Sequence, residues 1–306
     1  MNQNRLLQPI RFAFVANIFV VALGLACGQE ADTDSTKPTD SQTNGPVNDG
    51  QHLNVMSFNI RYGLANDGNN SWPYRSGFVT DVIQEFAPDL LGIQEAMGFQ
   101  AEFLKLQLPE FQHFGASRDA NPNGEQCSIF VRTSRFDILT DGQFWLSETP
   151  GKKYSKSWDA SLARIATWVQ LKDKNTKRQL LFLNTHFDHR GAESRIQAAA
   201  IIRKFIDKQT QVQSVIVTGD FNCSVGSKPH QTLLVNNRLQ DTWQKFGKTP
   251  SAHEGTFHGF QGNDTGARID WVLCSRELKV IEANIVKTSK AGKYPSDHFP
   301  VTAVLK

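Results

Sequence analysis

Polar and apolar residues alternate from Leu53 to Ile60, with Met56, Phe58 and Ile60 on one face and Ser57 and Asn59 on the other, which predicts a strand. Downstream, Phe78, Val79, Val82, Ile83 and Phe86 recur at three- and four-residue spacing, the pattern of an amphipathic helix that Pro88 closes. Leu90-Leu91-Gly92-Ile93 reads as a short buried strand ending at Gln94-Glu95. Residues 166–171 and 180–183 flank the polar turn Asp173-Lys174-Asn175-Thr176 and predict a hairpin whose second strand runs into Asn184-Thr185-His186. Glu193 to Lys208 repeats the helical spacing, and strands are expected at 215–217, 269–273 and 301–305. Hairpins mixed with helical connections imply an α/β fold whose sheets contain antiparallel pairs and carry helices outside.

The N-terminus follows another pattern. Arg5 and Arg11 precede an almost wholly apolar stretch from Phe12 to Ala26, the charge-then-apolar layout of an export signal. That stretch is short for a membrane span, which needs roughly 20 residues. Leu25-Ala26-Cys27-Gly28 resembles the bacterial lipoprotein signal, in which the cysteine is lipidated and begins the mature chain; an ordinary cleaved signal peptide is the alternative. Residues 28–50 are polar, acidic and free of aromatics, a composition that cannot bury enough apolar surface to offset chain entropy, and they read as a disordered tether. The expected organisation is residues 1–27 as signal, 28–50 as tether and 51–306 as one folded domain, since no internal repeat or second linker is visible. Either signal type implies export to the periplasm or cell surface, and the lipoprotein reading adds a lipid anchor in the membrane.

Without the signal and tether, 30 basic residues face 25 acidic ones, with no long Lys/Arg run. That mild excess does not favour a polymeric nucleic acid as partner, because binders that rely on phosphate contacts carry a visible basic stripe. Cys127, Cys223 and Cys274 have no zinc-like spacing and read chiefly as small buried hydrophobes.

The chemistry collects at the strand ends. Asn59, Glu95, His186, Asp220 with Asn222, and Asp297 with His298 each end or begin an apolar stretch, and Asp270 opens the strand at 269–273. An ionised carboxylate in such a place is costly unless it is paired or bound to a metal. Any one of these groups could simply satisfy a loop; six such positions at strand ends indicate a site.

Ser57-Phe58-Asn59-Ile60-Arg61, Gln94-Glu95, Asn184-Thr185-His186, Gly219-Asp220-Phe221-Asn222, Arg268-Ile269-Asp270 and Ser296-Asp297-His298-Phe299-Pro300 resemble, in order, the motifs of the endonuclease/exonuclease/phosphatase superfamily. The resemblance implies a four-layer sandwich of two central mixed β-sheets flanked by helices. It also implies hydrolysis of a phosphate ester by an activated water with a divalent metal, Mg²⁺ or Mn²⁺, hard ions suited to oxygen ligands. Glu95 is then the main metal ligand, with Asn59 at the metal pole helping to orient the site and Asp297 as a further or water-mediated ligand. His298, oriented by Asp270, is the candidate base, and Asp220 competes for that role. His186 protonates the leaving group or donates to a phosphate oxygen, and Asn222 holds the phosphoryl group.

Departures from the superfamily pattern narrow the reading. Arg61 stands where an acidic residue is often found, which argues against a second carboxylate-bound metal, and the inositol-phosphatase run of tryptophan, cysteine, aspartate and arginine is missing. Asp188 and His189 are candidates for substrate or metal contact, with a turn role before the next helix as the alternative. Arg164 is a candidate phosphate clamp, and Trp72 could stack on a base or sugar ring. The expected substrate is a phosphodiester, with a nucleic acid or a phospholipid both open. A phosphomonoester of a sugar or nucleotide is the alternative, and the enzyme is expected to be monomeric. A catalytically silent surface-binding lipoprotein, the reading from a different class, would have lost one of the site residues, and none is lost.

Overall fold

The computed structural model describes residues 51–247 and 251–306. The expected signal (1–27) and tether (28–50) lie outside the described residues. Among the described residues, no helix is long and apolar enough to cross a membrane.

Two six-stranded mixed sheets form the centre, with helices on their outer faces. The first contains β1 (Leu53–Asn59), β2 (Leu90–Met97), β3 (Phe111–Phe114), β4 (Glu125–Arg132), β11 (Val280–Ile285) and β12 (Val301–Leu305), in the order β11-β12-β1-β2-β4-β3. The second contains β5 (Phe136–Trp145), β6 (Ile165–Asp173), β7 (Gln179–His186), β8 (Ser214–Asp220), β9 (Leu239–Asp241) and β10 (Asp270–Ser275), in the order β5-β6-β7-β8-β10-β9. Each sheet has one parallel pair, β1 with β2 and β7 with β8, bounded by antiparallel neighbours. This is the α/β sandwich expected from the sequence.

The alternation along β1 explains the layering. Met56, Phe58 and Ile60 pack with Val79, Val82 and Ile83 of α1 (Trp72–Phe86) and Leu104 of α2 (Gly98–Gln107) in an outer core. Leu53 and Val55 face the other way and join Phe182, Ile216 and Val272 between the sheets. Burying such side chains is worth about 1.5–3 kcal/mol each. On the second sheet, α3 (Ala192–Asp207) covers Leu181, Leu183, Val215 and Val217. Three short elements go unseen in the pattern of apolar positions: α4 (Lys228–Leu234), α5 (Thr242–Lys245) and β9. The same holds for α2, β3, β4, β5 and β11, of which β5 and β11 are only partly buried.

Towards one end the inter-sheet face changes from apolar to polar. Gln94 Nε2 donates to Asn184 Oδ1 at 2.6 Å, and Asn184 Nδ2 donates to the carbonyls of Ile93 and Ser128 at 2.8 and 2.9 Å. Thr218 Oγ1 donates to the same Asn184 oxygen at 3.1 Å. These hydrogen bonds cross the gap, so the polar layer joins the sheets rather than splitting them, with the buried Gln94 Oε1 left without a partner among the described residues. Gly92 allows the approach, because a Cβ there would overlap Thr218 Oγ1 and the Asn184 side chain.

Candidate active site

Beyond this polar layer the strand ends open into a cavity of about 410 Å³. Asn59 is the last residue of β1, and Glu95 sits on the neighbouring β2 at a register shift between Ile93 and Ala96. At this bulge Glu95 takes φ 62°, a left-handed conformation unusual for a residue with a Cβ, and its side chain is re-aimed out of the regular pleat. Glu95 Oε1 accepts from Asn59 Nδ2 at 3.1 Å and Oε2 from the Tyr62 N–H at 2.7 Å, so each oxygen keeps a lone pair. Burial opposes ionisation of Glu95, but its charged surroundings, His298 among them, and the Asn59 bond outweigh it and hold its pKa below the ordinary value.

The opposite wall comes from the second sheet. Register sets His186 and Asp270 on either side of Asp220. Asp220 Oδ2 accepts from Asn59 Nδ2 at 3.0 Å, and Oδ1 accepts from the Asn222 N–H at 2.9 Å. Burial and the nearby Asp270 raise the pKa of Asp220. The segment before β12 supplies His298, whose Nδ1 lies 2.9 Å from Asp270 Oδ2 and whose Nε2 lies 3.8 Å from Asp220 Oδ2. Burial alone would lower the pKa of His298, yet Asp270, Asp220 and Asp297 raise it well above the ordinary imidazole value. Ser296 Oγ donates to the Asn59 carbonyl at 2.7 Å and ties this segment to the end of β1.

A third wall is cationic. Arg164 is buried, lies 3.5 Å from Asp188 and 3.8 Å from Glu125, and has Nε and Nη1 without a hydrogen-bond partner among the described residues. Arg118 pairs closely with Glu125, and both line the cavity with Arg164 and His189. His189 is exposed, and its Nδ1 lies 3.0 Å from Arg164 Nη2. His186 sits between the walls, with Nδ1 3.7 Å from Glu125 and Nε2 3.4 Å from Asp220. Burial and Arg164 push its pKa down to about 3, which makes it a neutral ring. Asn222, at φ 49°, donates from Nδ2 to the Phe187 carbonyl at 3.1 Å and faces His186 Nε2 at 3.0 Å.

Of the residues picked out from the sequence, the cavity is lined by Glu95, Arg164, His186, His189, Asp220, Asn222, Asp297 and His298, with Asp270 directly behind His298. Three further candidates are placed as follows. The Asn59 amide oxygen accepts the Arg61 N–H at 3.0 Å, which fixes the orientation of the amide. Its NH₂ group therefore faces Glu95 and Asp220 and orients these acids. Trp72 is 6% exposed and packs edge-on to Phe103 at 5.6 Å in the outer core, so it offers no stacking surface. Asp188 is spent on its own loop, accepting from the N–H groups of Ser161, Leu162, Arg190 and Gly191 and from Ser161 Oγ. Sequence reasoning misses Arg118 and Glu125, which flank the start of β4, and Tyr62, Leu162 and Phe257 at the rim.

Ligand atoms of Glu95, His186 and Asp220 lie within 4.8 Å of one another, as do those of Asp220, Asp270 and His298. A carboxylate-rich set with free lone pairs on Glu95 suits a hard divalent ion such as Mg²⁺ or Mn²⁺. Asp297 stands outside both groups but lines the same cavity.

Acids and imidazoles are thus gathered at one rim of the two sheets of an α/β sandwich, an arrangement suited to phosphate-ester chemistry. The chain belongs to the endonuclease/exonuclease/phosphatase family, whose pattern matches residues 56–298. It is 32% identical to the mannosyl-6-phosphatase Bt3783 of Bacteroides thetaiotaomicron VPI-5482, with a TM-score of 0.77, covering 83% of this chain and 99% of that one. D. rerio TDP2 complexed with a single-strand DNA product shares the fold at 16% identity and a TM-score of 0.68, covering 84% of this chain and 99% of that one. An uncharacterized protein, R895, of Acanthamoeba polyphaga mimivirus is 20% identical over 246 residues, which cover 69% of this chain and 36% of that protein. The chain thus spans about a third of that relative's length.

Proposed function

We propose that the protein is an exported, lipid-anchored phosphatase dependent on a divalent metal, and that its substrate is a phosphomonoester of a sugar. The observation that carries the substrate is the buried Arg164 on the cavity wall beside Arg118: its Nε and Nη1 face Asp188 and Glu125 at 3.5 and 3.8 Å but make no hydrogen bond among the described residues. A terminal phosphoryl group has three non-bridging oxygens and up to two negative charges, and a guanidinium fork matches it. The cavity of about 410 Å³ has room for one such group and a sugar ring. The 32% identity to a mannosyl-6-phosphatase supports the same choice over the phosphodiester expected from the sequence. Export and the anchor rest on the layout of residues 1–27.

Glu95 would hold the metal, with Asp220 and Asp297 as the other acids beside it, and a bound Mg²⁺ or Mn²⁺ would supply neutralisation of the phosphoryl oxygens. Asp220, His298 and Asp270 act as one proton-holding unit. A water hydrogen-bonded to His298 Nε2 and Asp220 Oδ2, which are 3.8 Å apart, gives its proton to this unit as its oxygen attacks phosphorus in line. The ester P–O bond breaks opposite, the departing sugar oxygen takes a proton from solvent water, and phosphate and the sugar alcohol leave. Asn222 Nδ2, now turned to His186, donates to a phosphoryl oxygen, while Arg164 and Arg118 hold the remaining charge. His186 is neutral and serves as a hydrogen-bonding partner instead of an imidazolium acid.

Phosphate release in Mg²⁺ from mannose 6-phosphate, p-nitrophenyl phosphate, bis-p-nitrophenyl phosphate and DNA tests this reading, with Glu95→Ala as control. Monoesters should be cleaved about 100-fold faster than diesters, and chelation should abolish turnover. Faster cleavage of a diester restores the phosphodiesterase reading, and no turnover of any ester by metal-loaded protein points to a silent scaffold.

A further inference from the structure

Arg61 stands two residues beyond Asn59 with φ 63°. Its backbone is fixed on both sides: the N–H donates to Asn59 Oδ1 at 3.0 Å, and the carbonyl accepts from Gln100 Nε2 at 3.1 Å and Arg75 Nη2 at 3.2 Å. The guanidinium is fixed as well. Nε and Nη2 each donate to Asp67 at 3.0 Å, and Nη1 faces Asp297 Oδ2 at 3.5 Å. It lines the cavity beside Glu95 and Asp297, and it carries its charge at every working pH.

We propose that the Arg61 guanidinium takes the place of a second metal ion, so that the Glu95 and Asp297 side of the site holds a single divalent cation. This rests on the metal-dependent reading above. Three carboxylates, of Asp67, Glu95 and Asp297, surround Arg61. Asp67 is matched by its two bonds to the guanidinium, which leaves Glu95 and Asp297 as the acids on this side, with Asp220 on the opposite wall. Two-ion phosphoryl-transfer sites keep their ions about 3.5–4 Å apart. On the Arg61 side, a second ion drawn to Asp297 Oδ2 would have to approach Nη1, a like charge already in place. Arg75, behind this pole, donates to the carbonyls of Ile60, Arg61, Asn70 and Pro295 and offers no ligand.

Titration of the full chain with Mn²⁺ tests the proposal, read by calorimetry and by the electron paramagnetic resonance of the bound ion. The parent should bind one Mn²⁺ and give the spectrum of an isolated ion. Arg61→Ala, and Arg61→Gly, which accepts φ 63° without strain, should each bind one ion more and show spin coupling, while Arg61→Lys should stay at one. A spin-coupled pair in the parent overturns the proposal, and so does an unchanged stoichiometry in Arg61→Ala and Arg61→Gly with melting temperatures intact. If a variant does not fold, the parent's own spectrum decides. Phosphate release from p-nitrophenyl phosphate is measured on the same samples. A parent that binds one ion but cleaves no ester sinks the catalytic reading and leaves the role of Arg61 standing, whereas hydrolysis with two coupled ions does the reverse.

Discussion

Asn59 Nδ2 donates at 3.0 Å to Asp220 Oδ2, so the last residue of β1 in one sheet is bonded to the last residue of β8 in the other. The same nitrogen reaches Glu95 Oε1 at 3.1 Å. One amide thus sets the spacing between the acid that would hold the metal and the acid that would take the proton. Asn59→Ala should lower kcat by about 10²–10³, as loss of a preorganised polar group does. Asn59→Asp should lower it more, because a third carboxylate would face the two that the amide now separates. Steady-state turnover at saturating Mg²⁺, with melting temperature as a check on folding, reads both.

Arg75 is 4% exposed and donates to four backbone carbonyls, those of Ile60 and Arg61 after β1, Asn70, and Pro295 just before Ser296. It clamps the segment carrying Arg61 and Tyr62 to the one carrying Asp297 and His298. Arg75→Ala should destabilise the fold by about 3 kcal/mol, since several buried carbonyls lose their donors together. Arg75→Lys can restore some of these bonds but not the fork. It should fold, yet need about ten times more Mg²⁺ for half-maximal turnover, equivalent to about 1.4 kcal/mol. An unchanged metal requirement in Arg75→Lys would count against the clamp.

Gly92 faces the polar layer between the sheets, where an added Cβ meets Thr218 Oγ1 and Asn184. Both neighbours belong to a hydrogen-bonded buried network and have little room to yield. Gly92→Ala should cost about 2–3 kcal/mol by overpacking, visible as a lower midpoint in urea. A midpoint equal to the parent's would show that the sheets separate easily there.

Asp188 offers a pH-dependent test of stability. Burial acts to raise its pKa, but the N–H groups of Gly191, Arg190 and Ser161 and the Ser161 hydroxyl hold it well below the ordinary carboxylate range. A depressed carboxylate stabilises the fold at pH values above its unfolded pKa of about 3.9, and that contribution is lost as pH falls towards the folded value. Asp188→Asn should therefore cost about 2 kcal/mol at pH 7, and the gap to the parent should close progressively below about pH 4. Denaturant melts at pH 7, 5 and 3 give the comparison; a gap independent of pH would assign the loss to packing.

The sandwich is legible in the sequence because its central strands are buried on both faces or alternate cleanly, as β1, β7, β8 and β10 do. The strand-end residues are legible for the same reason: an acid or imidazole abutting an apolar run is out of place without a role. What the sequence hides depends on contacts with distant residues. The direction of the Asn59 amide is decided by the Arg61 N–H, and the burial of Trp72 follows from α1 beginning at Trp72, well before Phe78 where its apolar spacing starts, with Pro73 in its first turn. Glu125 and Arg118 escape notice because β4 opens with Glu125-Gln126-Cys127-Ser128, where no period is visible until the strand has found its partner β2. The strained turn at Glu95 has no local signature either, since a bulge is a mismatch between two strands.

Arg61, Glu95 and Asn222 all hold left-handed backbone angles, at φ 63°, 62° and 49°, and all three line the cavity. Such conformations cost about 1–3 kcal/mol for residues with a Cβ, less for asparagine. Selection for thermal resistance alone would thus favour glycine at Arg61 and Glu95, and the most heat-resistant single variants of this protein should be found among its least active ones.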